Sequence, residues 1–127
     1  MGVYFMKIIQ DEELKKNLMS DLKLTDLPTD FELVFKSYSR SCYGRYYVKA
    51  KKIILYIEAN KNGDYFDYDT LLDTLIHEAV HHYQHHHEKG YKRLDGVMHD
   101  LNFKKKHKQC LDKLIEMEVI SHEYKPV

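Results

Sequence analysis

The sequence lacks the features that mark disulfide-rich proteins, proteins of high net charge and membrane-spanning proteins. It contains no tryptophan, and its two cysteines, Cys42 and Cys110, form neither a CxxC pair nor a dense disulfide framework. Lysine plus arginine equals aspartate plus glutamate at 20 each, so overall charge gives no reason to expect nucleic acid or an acidic surface as partner. No stretch approaches the length of a membrane span, and the first residues lack a signal-peptide cleavage pattern. We therefore expect a cytoplasmic protein with reduced thiols and no membrane partner.

The length and the hydrophobic pattern predict one α+β domain. A chain of 127 residues with 43% hydrophobic residues suits a single core, and we expect one domain over residues 1–127 with its core at about 31–120. Helical spacing predicts a first helix over 3–20 and a last helix over 101–120. The first helix would pack through its apolar residues, which are Phe5, Ile8, Ile9, Leu14 and Leu18.

Between these helices the sequence predicts a small sheet. Residues 31–36, 46–48 and 53–57 are short runs rich in β-branched and aromatic residues, and residues 22–30, with Pro28, are typical of a loop. Three short strands in succession imply an antiparallel three-stranded sheet. The turn residues 60–64 then precede a further helix, capped by Asp67 or Asp69.

That further helix, over residues 70–87, carries the clearest chemical pattern. His77, Glu78 and His81 form an HExxH motif, which places two imidazoles one turn apart on one helix face, where both can bind one metal ion. Apolar residues fill one arc of the helix: Leu71, Leu72, Leu75, Ile76, Ala79, Val80 and Tyr83. The opposite arc holds the polar residues: Thr70, Asp73, Thr74, His77, Glu78 and His81. The pattern therefore predicts a helix with one core face and one chemical face.

A catalytic zinc site normally has three protein ligands and one exchangeable water, so a third ligand is needed. Glu88 lies about 10 Å beyond His81 along the helix axis, and His85 continues the same straight row, so neither completes a tetrahedral site. His99 and His107 remain as candidates. His99 follows a loop and precedes the last helix, so the chain can fold it back over the motif.

Two segments resemble the SprT-like zinc metalloprotease family, which includes the Spartan proteases. LDTLIHEAVHHYQ matches the family's HExxH helix, and GVMHDLNFKKK matches its third-histidine motif through His99 and Phe103. SRSCYGRYYVKAKKIILY resembles the family's strand pair, and the likeness covers about residues 31–115. Asp100 replaces the glycine that usually follows the third histidine, and the two cysteines are too few for the zinc ribbon of many bacterial relatives.

The resemblance implies a zincin-like fold, with the sheet packed on the HExxH helix and flanking helices. It also implies a zinc-dependent endopeptidase acting on a protein or peptide substrate. His77, His81 and His99 would bind Zn²⁺, and Glu78 would be the general base that takes a proton from the attacking water. The alternative is a non-catalytic binding module, stabilised by zinc and associated with nucleic acid or a protein partner.

Several nearby residues have roles that the sequence leaves open. Tyr83, Tyr91 or His82 could stabilise an oxyanion, or each could simply pack or face solvent. Asp73 and Asp100 could orient the metal-binding imidazoles, cap a helix or face solvent. The histidines at 82, 85, 86 and 87 are more typical of a solvated helix end than of a second metal site. A lysine run on the last helix could contact DNA phosphates, and it comprises Lys104, Lys105, Lys106 and Lys108.

Overall fold

The computed structural model describes residues 3–93 and 98–126, with side chains described from residue 10 onward. In chain order the elements are helix α1 (Val3–Lys23), strands β1 (Glu32–Lys36), β2 (Gly44–Tyr47) and β3 (Lys52–Tyr56), and helices α2 (Tyr68–His86) and α3 (Leu101–Glu116). The predicted α+β class is confirmed. The expected packing of Phe5, Ile8 and Ile9 lies outside the described side chains. None of the helices within the described ranges has both the length and the apolar character needed to cross a membrane.

The sheet is mixed, so the predicted antiparallel sheet is wrong. Its strand order is β1-β3-β2, with β1 parallel to β3 and β2 antiparallel to β3. Three consecutive residues of β3 are buried, Ile53, Ile54 and Leu55, so both faces of this strand lie against the core. Such a strand belongs at the centre of a sheet. Residues 37–43 therefore connect β1 to the opposite edge of the sheet, where β2 lies. The chain then reverses direction, and β3 pairs between β1 and β2.

Helix α2 lies at the centre of the molecule and contacts α1, α3, β2 and β3. Of the two aspartates expected to cap it, Asp67 does so, because its carboxylate accepts a hydrogen bond from the Thr70 amide at 3.0 Å. The predicted apolar arc of α2 packs on the core, with Tyr83 partly buried, and Leu72, Leu75 and Ile76 have no solvent exposure. The core thus fixes the rotation of the helix, and its chemical face is held towards β2 and α3.

Two helix ends differ from the prediction. Helix α1 continues to Lys23 and so buries Leu22 together with Leu18. Helix α3 ends at Glu116 and not at 120, because Glu118 adopts a φ of 61° and turns the chain. The amides of Val119 and Ile120 then both bond to the Leu114 carbonyl, at 2.9 and 3.2 Å, and Ile120 becomes fully buried.

Candidate active site

The structure brings the three predicted metal ligands together. His77 and His81 lie one turn apart on α2, and His99 lies two residues before α3 begins. Their ligand atoms all lie within 4.8 Å of one another, and the two Nε2 atoms of His81 and His99 are 3.2 Å apart. The ring centroids are separated by 5.1, 4.8 and 5.0 Å, so the three imidazoles form a nearly equilateral triangle. We call this cluster the imidazole triad.

The triad fits a zinc ion in both spacing and protonation. Zinc bonds imidazole nitrogen at about 2.0–2.1 Å, so two nitrogens of a tetrahedral site lie about 3.3 Å apart, close to the His81–His99 separation. Burial, together with the neighbouring His107 and His99, lowers the pKa of His77 to about 4. Burial, followed by the nearby histidines, lowers the pKa of His81 to about 3. Neutral imidazoles with free lone pairs are the form that zinc binds.

Phe103 forms an apolar wall behind the triad. It is buried on the first turn of α3, and its ring centroid lies 4.9, 4.5 and 4.7 Å from those of His77, His81 and His99. Close packing against one rigid ring restricts the rotation of all three imidazoles. The aromatic residue that follows His99 in the second motif is therefore part of the site's framework.

Asp100 positions His99 through the helix that follows. Its Oδ1 accepts hydrogen bonds from the Phe103 amide at 2.7 Å and from Gln84 Nε2, on α2, at 3.1 Å. Asp100 is thus the N-cap of α3, and no bond to the His99 ring is present. Its φ is −74°, which any L-residue adopts, so this turn does not require the glycine of the related motif. Of the roles that the sequence left open for Asp100, the structure shows helix capping.

Glu78 lies beside the triad as the predicted base. The residue is 7% exposed, and its Oε2 is 3.9 Å from His77 Nε2. Burial raises the pKa of Glu78 to about 7, because a carboxylate loses hydration in this position. A carboxyl group in this range can both accept and release a proton near neutral pH.

Gly44 allows β2 to lie against α2 at this point. A Cβ placed there would lie 2.9 Å from Thr74 Cγ2, 3.1 Å from the Ile54 carbonyl oxygen and 3.3 Å from Glu78 Cγ. The first separation is shorter than a carbon–carbon contact allows, so only glycine fits without a shift of Thr74 or of the strand. Gly44 lies outside the predicted strand 46–48, but in the structure it begins β2.

An open cleft of about 440 Å³ lies over the triad. Residues of β2 line it, and so does Tyr91, which the sequence offered as an oxyanion donor. The lining residues are Gly44, Arg45, Tyr46, Tyr47, Val48, His77, Glu78, His81, His85, Tyr91, Arg93, Met98 and His99. The sequence did not predict that side chains of β2 line the cleft. In the structure their exposure alternates along the strand, as is typical of an edge strand.

A second depression of about 400 Å³ shares Gly44, His77 and Glu78 with the cleft. Here Asp73 accepts hydrogen bonds from His107 Nε2 at 2.6 Å and from the Tyr124 hydroxyl at 2.7 Å. Asp73 therefore orients His107, and neither of these two hydrogen-bond partners is a member of the triad. His107 lies outside the imidazole triad, and no sequence signal points to Tyr124.

Other candidate residues lie in different surroundings from those expected. His82 is fully buried and not part of a solvated helix end, and both of its ring nitrogens are hydrogen-bonded. Tyr83 packs against the core, with Lys106 Nζ 4.9 Å from its ring centroid. Lys108 pairs with Asp112 at 2.6 Å. His82 and Tyr83 are therefore not among the residues that line the cleft. Of the four lysines considered as a DNA contact, Lys106 and Lys108 already contact other side chains of this chain.

Comparison with known proteins adds no assignment. No protein-family model, curated protein or solved structure matches this chain. The resemblance to SprT-like proteases stays a prediction that rests on the two histidine motifs. What the structure adds is the proximity of the motif residues and a histidine cluster that could hold a metal ion.

Proposed function

We propose that this chain is a zinc-dependent endopeptidase of SprT-like type, with a zincin-like fold, acting in the cytoplasm on protein or peptide substrates. The observation that carries this proposal is the imidazole triad next to the buried carboxyl group of Glu78, at the floor of an open cleft. A structural zinc site is usually closed by four protein ligands, whereas three ligands leave one position for water or substrate.

Different residues of the proposed active site would bind the metal ion and transfer the proton. His77, His81 and His99 would hold Zn²⁺, which when bound supplies Lewis acidity and lowers the pKa of a water from about 16 to about 7. Glu78 would accept the water proton on a carboxylate oxygen and donate it to the nitrogen of the departing amine. Phe103 would keep bulk water away from the back of the triad.

The two depressions support cleavage within a chain and not at its end. Both include Gly44, His77 and Glu78, so open space continues on either side of the proposed base. A polypeptide could therefore extend in both directions from the bond being cleaved. An exopeptidase needs a closed end to its cleft that binds a chain terminus.

The first test removes the proposed base and keeps the metal ligands. Glu78→Gln preserves side-chain size but cannot accept the proton, so cleavage of an unfolded protein should fall by on the order of 10²–10⁴-fold. Zinc content, measured by elemental analysis, should be unchanged. Glu116→Gln, an exposed carboxylate at the end of α3, is the matched control and should cleave like wild type.

The same experiment separates the proposed enzyme from the rival function. Zinc uptake without cleavage in the wild-type chain, with and without single-stranded DNA, would contradict the endopeptidase and favour a zinc-stabilised binding module. Stimulation by DNA would support contact through the lysines of α3, where Lys104 and Lys105 are exposed. Equal cleavage by wild type and Glu78→Gln would exclude Glu78 as the base.

A further inference from the structure

A second group of metal-ligating side chains lies away from the cleft. Asp30, just before β1, meets His82 on α2 and His87 at the C-terminal cap of α2, and their ligand atoms all lie within 4.8 Å of one another. Asp30 Oδ1 accepts hydrogen bonds from His82 Nε2 at 2.7 Å and from His87 Nε2 at 2.8 Å. Two imidazoles and one carboxylate are a common ligand set for zinc and other divalent transition metals.

This group, which we call the rear cluster, is separate from the imidazole triad. His82 follows His81 directly, but successive residues of a helix point about 100° apart. Its side chain therefore faces Phe31 and Tyr46, whose rings lie 5.3 and 5.5 Å from its own, while His81 faces the cleft. One ion cannot be bound by both clusters.

His82 is hydrogen-bonded in the way that a metal-binding histidine usually is, with Tyr46 as the partner of its other ring nitrogen. His82 has no solvent exposure, and its Nδ1 lies 2.7 Å from the Tyr46 hydroxyl. A ligating histidine usually engages its other nitrogen in a hydrogen bond, which fixes the orientation of the ring. A hydroxyl can donate or accept, so Tyr46 remains a partner when the His82 proton moves from Nε2 to Nδ1 and leaves Nε2 free for an ion.

The other two members can adjust and admit an ion. The side chains of Asp30 and His87 are 51% and 35% exposed. Zinc bonds to nitrogen and oxygen at about 2.0–2.2 Å place the ligand atoms about 3.3 Å apart, so both side chains must move outward by about half an ångström. Asp30, whose Oδ1 accepts hydrogen bonds from both imidazoles, is the carboxylate ligand of the three.

We propose that Asp30, His82 and His87 form a second binding site for a divalent transition metal of the zinc class. An ion there would join the segment before β1 to the C-terminal end of α2, with Tyr46 linking the site to β2. Because Tyr46 also lines the cleft, the ion would stiffen the cleft wall from behind. This site is independent of the proposed peptidase activity.

The test counts zinc ions on the full chain after chelation and dialysis. Wild type should take up two ions, one for each cluster, by isothermal titration and elemental analysis. His99→Ala and His87→Ala should each take up one, and the double variant none. His86→Ala is the matched control, since His86 adjoins His87 but bonds the Val48 carbonyl, and it should retain both ions.

A second readout protects the test against a loss of structure. Zinc should raise the midpoint of thermal unfolding of His99→Ala, through the rear cluster alone, and should leave that of the double variant unchanged. Asp30→Asn should weaken the binding of this second ion, because the substitution removes the anionic ligand while keeping an oxygen acceptor. One ion in wild type that His99→Ala abolishes, or undiminished uptake by His87→Ala, would overturn the proposal and show that the rear cluster is a hydrogen-bonded network only.

Discussion

At the scale of single residues, the site depends on a position that carries no side chain. Gly44 makes possible the contact of β2 with Thr74 and Glu78 on α2. The same contact buries Glu78 and so raises the pKa of its carboxyl group. A small residue on an edge strand thereby influences the pKa of a carboxyl group on a neighbouring helix.

Gly44→Ala should lower the free energy of unfolding by about 1–3 kcal/mol, the usual cost of overpacking a well-filled interior. Cleavage should fall as well, because the strand must move away from Glu78. Urea unfolding measures the first effect. Thr74→Ser removes Cγ2 and keeps the hydroxyl that bonds the Thr70 carbonyl, so in this background Gly44→Ala should cost less. An equal cost in both backgrounds would exclude the Thr74 contact as the cause.

At the scale of secondary-structure elements, the start of α3 determines where the third imidazole lies. Asp100 bonds to the Phe103 amide within its own helix and to Gln84 on α2. One carboxylate oxygen therefore both begins α3 and fixes that beginning against the HExxH helix. His99, the preceding residue, is positioned by the same oxygen.

Asp100→Ala should reduce stability by about 1 kcal/mol for the lost cap and weaken zinc binding, because His99 loses its anchor. Denaturant unfolding and a zinc titration check the two effects. Both hydrogen bonds end on Oδ1, so Asp100→Asn can retain them and should behave like wild type. A weakened Asn variant would mean that the negative charge matters and not the two bonds.

At the scale of the whole molecule, the imidazole triad joins two helices that are distant in sequence. Two ligands come from α2 and one from the segment before α3, so an ion bound there would cross-link the folded chain. The unfolded chain has no preformed site, and metal binding therefore adds to the stability of the fold.

Chelation of zinc should lower the thermal unfolding midpoint of the wild-type chain, since an ion at 100 times its Kd contributes about 2.7 kcal/mol. Differential scanning calorimetry with and without chelator measures the change. His99→Ala should lose the part of this shift that belongs to the triad, whereas His107→Ala should retain it, because His107 bonds to Asp73. The reverse result would make His107 the third ligand.

The helices and the ligand spacing were predictable because they depend on local periodicity. The 3.6-residue repeat of α2 places Leu72, Leu75 and Ile76 on one face and His77 and His81 on the other, wherever the helix packs. The three strands were also found, because runs such as Lys52–Tyr56 are locally typical of extended structure. The order of the strands in the sheet was not predictable from local sequence, because it depends on which strand has both of its faces buried in the folded chain.

The sequence by itself determined the elements and the HExxH face, since each depends on residues within a turn or a short motif, and its resemblance to a known family favoured His99 over His107 as third ligand. Only the tertiary structure decided that Asp100 bonds Gln84, that Asp73 orients His107, and that His82 is buried against Asp30 and Tyr46. The partners in these contacts lie between 16 and 52 residues apart in the sequence. No local pattern specifies such pairings, because they follow from which surfaces the core brings into contact.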